Sequence, residues 1–319
     1  MYKERYLITG GSGFIGTQLI KQLLIEEHEV TVFTRDEVKT TNHFAHVMQD
    51  SIRPDQTVGK VQTITDLSTL NVSDGSSFDV VINLAGQGIA DKRWSDKVKQ
   101  QLLDSRINTT KALYDYLEDV LVKPDVVISG SALGYYGLHD DDSKIYENGQ
   151  DDNSFSSQLC VAWEKEAKRI ENLGIRTCYL RTGIVLGKNG GALSKMLPPF
   201  KFGLGGPMGS GKQWMSWIHM DDIIGIIRYA IENESVTSAI NATAPNPETN
   251  KVFSSTLGQV LKRPAFIPMP AFVMKLMMGE MAEELLLSGQ RVVPTKITKA
   301  GYQFIYPELK NALESIVNG

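Results

Sequence analysis

Three glycines, at 10, 13 and 16 in Thr9-Gly10-Gly11-Ser12-Gly13-Phe14-Ile15-Gly16, form the pattern in this sequence most directly suited to chemistry. Gly10 permits a tight turn, Gly13 lets backbone N–H groups approach a pyrophosphate, and Gly16 allows a helix to pack closely on the preceding strand. The helix opening at Phe14 and Ile15 then presents the positive end of its dipole to the anion. Further along, Thr34-Arg35 sets a hydroxyl beside a guanidinium where an NAD-binding chain usually offers an acid to the ribose. That pair suits a 2'-phosphate and favours NADP, with NADPH preferred over NADH. Asp36 follows at once and would meet the ribose if the register moved by one residue.

Such a turn needs a strand before it and a helix after it. Arg5–Thr9 is a short apolar run, and residues 14–27 carry Phe14, Ile15, Leu19, Leu23 and Leu24 at helical spacing. Further strands are predicted over 29–34, 61–65, 79–84, 125–129, 175–181 and 239–243. Helices are predicted over 95–120, 153–173, 221–233, 250–263 and 307–317. Strands alternating with helices imply an α/β fold of the Rossmann type, a doubly wound parallel sheet. The glycine-rich stretch 187–211 reads as loops draped around a ligand rather than a regular element. The expected division is a nucleotide-binding domain, 1–186 plus 221–243, and a smaller C-terminal α/β substrate lobe, 187–220 plus 244–319.

Composition narrows the class. With 319 residues, 42% hydrophobic, 22% charged and a net charge of −4, the chain is an ordinary globular protein with no electrostatic reason to bind nucleic acid or an anionic membrane. Cys160 and Cys178 are the only cysteines, too few for a disulfide framework or a metal set of the CxxC kind, and this suits a reducing cytoplasm. No metal is expected: Asp140-Asp141-Asp142 and Asp151-Asp152 read as a solvated acidic loop without the ligand order of an EF-hand. No apolar run reaches bilayer length. The nearest, Ala271–Met278, contains Lys275 and reads as an amphipathic helix covering a pocket or packing on a core.

The sequence resembles the extended short-chain dehydrogenase/reductase superfamily, whose TGxxGxxG signature Thr9 to Gly16 matches, while Asn83-Leu84-Ala85-Gly86 matches the loop after its fourth strand. Trp94, Ser105-Arg106-Ile107-Asn108-Thr109-Thr110, Ser129-Gly130-Ser131-Ala132-Leu133-Gly134-Tyr135-Tyr136-Gly137 and Arg181-Thr182-Gly183-Ile184-Val185-Leu186-Gly187 are similar to one atypical subfamily. So are Gly205-Gly206-Pro207-Met208-Gly209-Ser210-Gly211 and Trp217-Ile218-His219. This group is usually labelled "epimerase family protein", and its reaction is unsettled. The resemblance implies an NADP(H)-binding domain, with Thr34 and Arg35 at the adenosine phosphate, Leu84, Ala85 and Gly86 along the cofactor, and Gln101 and Arg106 on the flanking helix. It implies a small-molecule substrate and allows a homodimer paired through the long helices at 95–120 and 153–173.

Ordinary members transfer hydride with a Tyr and a Lys four residues later, the Lys lowering the phenol pKa while a Ser after the fifth strand orients the carbonyl. The Ser is here Ser129 or Ser131. The Tyr-Lys pair is missing: Gln158-Leu159-Cys160-Val161-Ala162-Trp163-Glu164 puts Cys160 and Glu164 at that spacing. Tyr136 ranks first among replacement acids, ahead of Tyr135, Cys160 and Glu164, so the catalytic candidates are Ser131 and Tyr136. Lys201, Lys212, Gln213, Trp214, Trp217 and His219 are candidates to line a cleft over the nicotinamide, with a capping role as the other reading of His219. Three functions stay open: an oxidoreductase, a sugar-epimerase-like or dehydratase-like enzyme, and a non-catalytic NADP-binding redox sensor or scaffold.

Overall fold

The computed structural model describes residues 3–49, 56–70, 78–139 and 141–319. Seven strands pair in parallel: β1 (Arg5–Thr9), β2 (Glu29–Phe33), β3 (Lys60–Ile64), β4 (Val80–Asn83), β5 (Val126–Ala132), β6 (Arg176–Thr182) and β7 (Ser238–Ala242). Their order is β7-β6-β5-β4-β1-β2-β3, the doubly wound arrangement expected. The order reverses between β1 and β4, which opens the crevice where ligands of such sheets bind.

Both faces of the sheet are buried, so its strands alternate between two cores rather than between core and water. Ile8, Val80, Ile82, Val126 and Ile128 face one core, under α1 (Phe14–Ile25) and α6 (Met220–Glu232). Leu7, Val81 and Val127 face the other, with Leu113 and Leu117 of α3 (Asp96–Asp119). Helix α4 (Phe155–Lys168) lies beside α3, and α2 (Glu37–Gln49) links β2 to β3. The Ser95 hydroxyl accepts from the Val98 N–H and starts α3.

A third core joins α5 (Gly191–Lys201), α7 (Asn250–Leu261) and the C-terminal helix Leu309–Asn318 around Leu193, Trp217, Phe253 and Leu313. Helix α5 corrects the expectation of loops throughout 187–211. The glycines of 187–211 cluster at the two ends of that stretch, and the Ala192–Lys201 run between them has none. Asp222, wholly buried, ties this lobe to the sheet by accepting from the Ile305 and Tyr306 N–H groups at 2.8 and 2.9 Å and the Tyr302 hydroxyl at 3.0 Å.

Helix α8 (Ala271–Met278) packs one side on the body, through buried Met274 and through Met278 against the cluster of Trp94 and Met281, while Phe272, Leu276 and Met277 face outward. Among the described residues no helix is long and apolar enough to cross a membrane, and no group of three His, Cys, Asp or Glu is placed to hold a metal ion. Asp140 lies outside the described residues. Asp142 accepts from the Trp214 indole, and Asp152 caps the turn at Leu138 and Ser154.

Candidate functional site

Gly10 adopts φ +68°, and a Cβ there would lie 2.5 Å from the Leu84 carbonyl carbon and oxygen. Gly16 is equally constrained: its Cβ would meet the Gly10 oxygen at 2.4 Å. The β1 end, the first turn of α1 and the β4 end therefore touch backbone to backbone. Helix α1 has Gly13 at its N-cap with no side-chain cap, and its first turn carries no acid. Its leading N–H groups are left for an anion. Thr9 locks the floor, donating to the Asn83 side chain at 2.7 Å and accepting from the Ala85 N–H, while Asn83 donates to Thr110 of α3.

At the β2 end, the Thr34 and Thr40 hydroxyls lie 2.8 Å apart, and the Asp36 carboxylate accepts from the Lys39 N–H at the start of α2. Asp36 is thereby engaged as a helix cap. Arg35 is exposed and makes no ion pair among the described residues. On α3, Arg106 donates to the Leu102 and Gln87 carbonyls at 2.9 and 3.1 Å, covers the Trp163 ring and lies against Gly86. It has no acidic partner among the described residues, and burial lowers its pKa from the ordinary arginine value. Gln101 stands exposed on α3 without a hydrogen bond among them.

The positions of the missing Tyr-Lys pair are built otherwise. Glu164 accepts from the Arg181 Nε and Nη2 at 2.8 Å each, and from the Ser131 hydroxyl at 2.6 Å. Arg181 is directly across from Ser131 in the β5–β6 register, its Nη1 reaches the Tyr136 hydroxyl at 3.0 Å, and its plane covers the Tyr135 ring. Burial opposes the Arg181 charge, but its bonds to Glu164 prevail and hold the guanidinium above its ordinary pKa. Motif reading includes Arg181 in the run to Gly187 but assigns it no role. The trace it leaves is a second arginine in the strand, after the uncharged run Thr177 to Leu180, at a position that is buried, and such a residue is buried only when paired.

Tyr136, expected to face substrate, borders a cavity of about 300 Å³ with Leu138, Ile145 and Gly149 that includes neither the glycine turn nor Ser131. It is 1% exposed, its hydroxyl donates to Asn241 at 2.5 Å, and burial pushes its pKa up to about 12 against the pull of Arg181. Cys160 is buried, and the same cause raises its thiol to about 11, as befits an inert core residue. Of the residues expected to line the substrate cleft, His219 borders the cleft beside the glycine turn and the others lie elsewhere. Trp217 is in the lobe core, Trp214 is under Arg291, and the Gln213 amide is spent on the Met208 and Leu286 carbonyls. His219 caps α6 through the Asp221 N–H, meets Ser315 and lies against Tyr306. A cleft of about 820 Å³ adjoins the glycine turn between Gly13, His43, Lys188 and Tyr306. It does not reach Arg106, Ser131 or Glu164.

Residues 6–242 match the NAD dependent epimerase/dehydratase family, and residues 269–316 match a family described only as a domain of unknown function, DUF1731. The chain is 36% identical to the epimerase family protein YfhF of Bacillus subtilis over 97% of both chains. It is 36% identical to the chloroplastic SDR39U1 homolog of Arabidopsis thaliana, over 97% of this chain and 86% of that one. The crystal structure of human epimerase family protein SDR39U1 with NADPH superposes with a TM-score of 0.84 at 35% identity, covering 98% of this chain and 99% of that one.

Proposed function

We propose that this chain, which belongs to the NAD-dependent epimerase/dehydratase family, is an NADP(H)-dependent enzyme that oxidises, reduces or epimerises a small organic substrate. The observation that carries the reading is the cradle at Gly10, where only glycine fits and the N–H groups of α1 are left uncapped. Its donor set suits the cofactor: α1 for the pyrophosphate, Thr34 and the unpaired Arg35 for a 2'-phosphate, Leu84 to Gly86 along the ribose, and Arg106 beside them. The NADPH in the human relative's structure supports the same choice. When bound, NADP(H) donates or accepts a hydride.

The protein's own part in proton transfer falls to Ser131 and Glu164. Because the Ser131 hydroxyl donates to Glu164, its oxygen presents lone pairs to a substrate hydroxyl. A proton leaving that hydroxyl passes to the Ser131 oxygen while the Ser131 proton moves to Glu164, which Arg181 holds in place. Tyr136 supports Arg181 from behind and does not meet the reacting atoms.

Calorimetric titration with NADPH and NADH tests the cofactor half: NADPH binds more tightly, and Arg35→Ala removes the difference. Failure of both nucleotides to bind refutes it. NADPH consumption with pooled metabolites, abolished by Ser131→Ala and by Glu164→Gln, tests the chemistry. A second reading, a non-catalytic NADP-binding sensor, is favoured by one observation: Glu164, Arg181 and Tyr136 satisfy one another within the protein. Consumption sensitive to Ser131→Ala excludes it.

A further inference from the structure

Two stretches of the C-terminal lobe, residues 187–220 and 249–279, contain eight Lys and Arg and no Asp or Glu, leaving 25 basic against 37 acidic residues elsewhere. The net charge of −4 conceals a basic lobe on an acidic body. The same stretches hold the largest exposed apolar side chains. Phe202, Leu204, Phe266, Phe272, Leu276 and Met277 are between 61% and 82% exposed.

These residues are joined through the backbone. The Ile267 N–H donates to the Gly205 carbonyl and the Met269 N–H to the Pro207 carbonyl, so the chain after Leu204 runs beside the chain after Phe266. Pro270 then leads directly into α8, where Phe272 and Leu276 share a face at i, i+4. Together with Ile267 and Met269 the apolar surface is on the order of 1,000 Å². An ordinary monomer's largest patch is roughly 300–600 Å². Lys201, Lys262 and Arg263 stand exposed at its edge without an acidic partner among the described residues, the Arg263 Nε donating to the Lys201 carbonyl. Lys275, within α8, is matched by Glu283.

From this geometry we infer that the outer face of the C-terminal lobe docks on a bilayer surface carrying anionic phospholipid. Phenylalanine, leucine and methionine beside unmatched Lys and Arg are the composition of an interfacial element. The cations supply attraction to the negative headgroups that the whole-chain charge does not. The eight-residue α8 spans about 12 Å. That is far short of the roughly 30 Å hydrocarbon core, so the element lies on the bilayer. A second copy of this chain is the poorer occupant, since a two-fold contact sets the same unmatched cations against each other.

The test is flotation of the full-length protein with vesicles of phosphatidylcholine alone and of phosphatidylcholine mixed with phosphatidylglycerol. Binding is expected to the mixed vesicles, weakening as salt is raised. Lys262→Ser with Arg263→Ser should lower the partition by on the order of 25-fold. Phe272→Ser with Leu276→Ser should lower it at least about tenfold. These side chains are exposed, so thermal melts of both variants should match the parent. Equal binding to neutral and mixed vesicles overturns the inference, as does full binding by either folded variant. A light-scattering dimer that Leu276→Ser dissociates, with no vesicle binding by the parent, assigns the face to a second copy and equally overturns it.

Discussion

Replacing Glu164 by Gln removes one charge from a pair that is almost entirely out of water: the Arg181 and Glu164 side chains are 5% and 11% exposed. The amide retains the volume and one acceptor, so the change isolates the charge. Two unit charges about 4 Å apart attract by about 4 kcal/mol at an effective dielectric of 20. Breaking a buried pair from one side costs about 3–5 kcal/mol because the remaining ion is uncompensated. Urea unfolding of Glu164→Gln should show a loss in that range, with a thermal midpoint lower by about 6–15 °C. Ser131 is left with an amide oxygen that accepts its hydrogen bond but cannot take its proton, so turnover should fall with the stability. The double variant Glu164→Leu with Arg181→Met should recover most of the loss, since no ion is left unpaired. A Glu164→Gln protein within about 1 kcal/mol of the parent would refute the claim that this pair holds the β5, β6 and α4 junction.

Gly10→Ala sets a Cβ 2.5 Å from the Leu84 backbone at φ +68°, so about 2 kcal/mol or more of stability should be lost, with NADPH affinity, in urea melts and titration. The Tyr136 phenol has its folded pKa raised to about 12 from the ordinary tyrosine value of 10.0, so its stabilising share is whole below pH 10 and fades as pH rises through 12. Stability of Tyr136→Phe should therefore fall less steeply than the parent's across that window, and the pH–rate profile below pH 9 should keep its shape. Asp222→Asn weakens two charge-assisted N–H bonds, at a cost of about 2–4 kcal/mol, and should expose 301–308 to limited proteolysis before the sheet unfolds.

Much of the frame was open to reading because its signals are local. The glycine turn, the β-branched runs and the helical spacing over 95–120 each lie within a few turns of chain, and the observed elements fall within a few residues of them. Exposure was less legible. Ala271–Met278 reads as an amphipathic helix, and only the placement of Met274 against the body shows which side is covered. Helix α5 was hidden because glycine was weighed across 187–211 as a whole, although the glycines are gathered at the ends of that stretch. Asp36 could serve a ribose or a cap on spacing alone, and the start of α2 decides for the cap.

What the sequence alone determined is the parallel α/β frame, the phosphate-binding turn and the absence of the Tyr-Lys pair, since each depends on residue types at short fixed spacing. The tertiary structure decided what replaces that pair. Ser131, Glu164 and Arg181 meet from β5, α4 and β6, and Tyr136 turns inward to Asn241, 105 positions along the chain. Such meetings follow from strand order and from the cost of burying an unpaired charge or hydroxyl. No pattern local to one segment records which partner will be there.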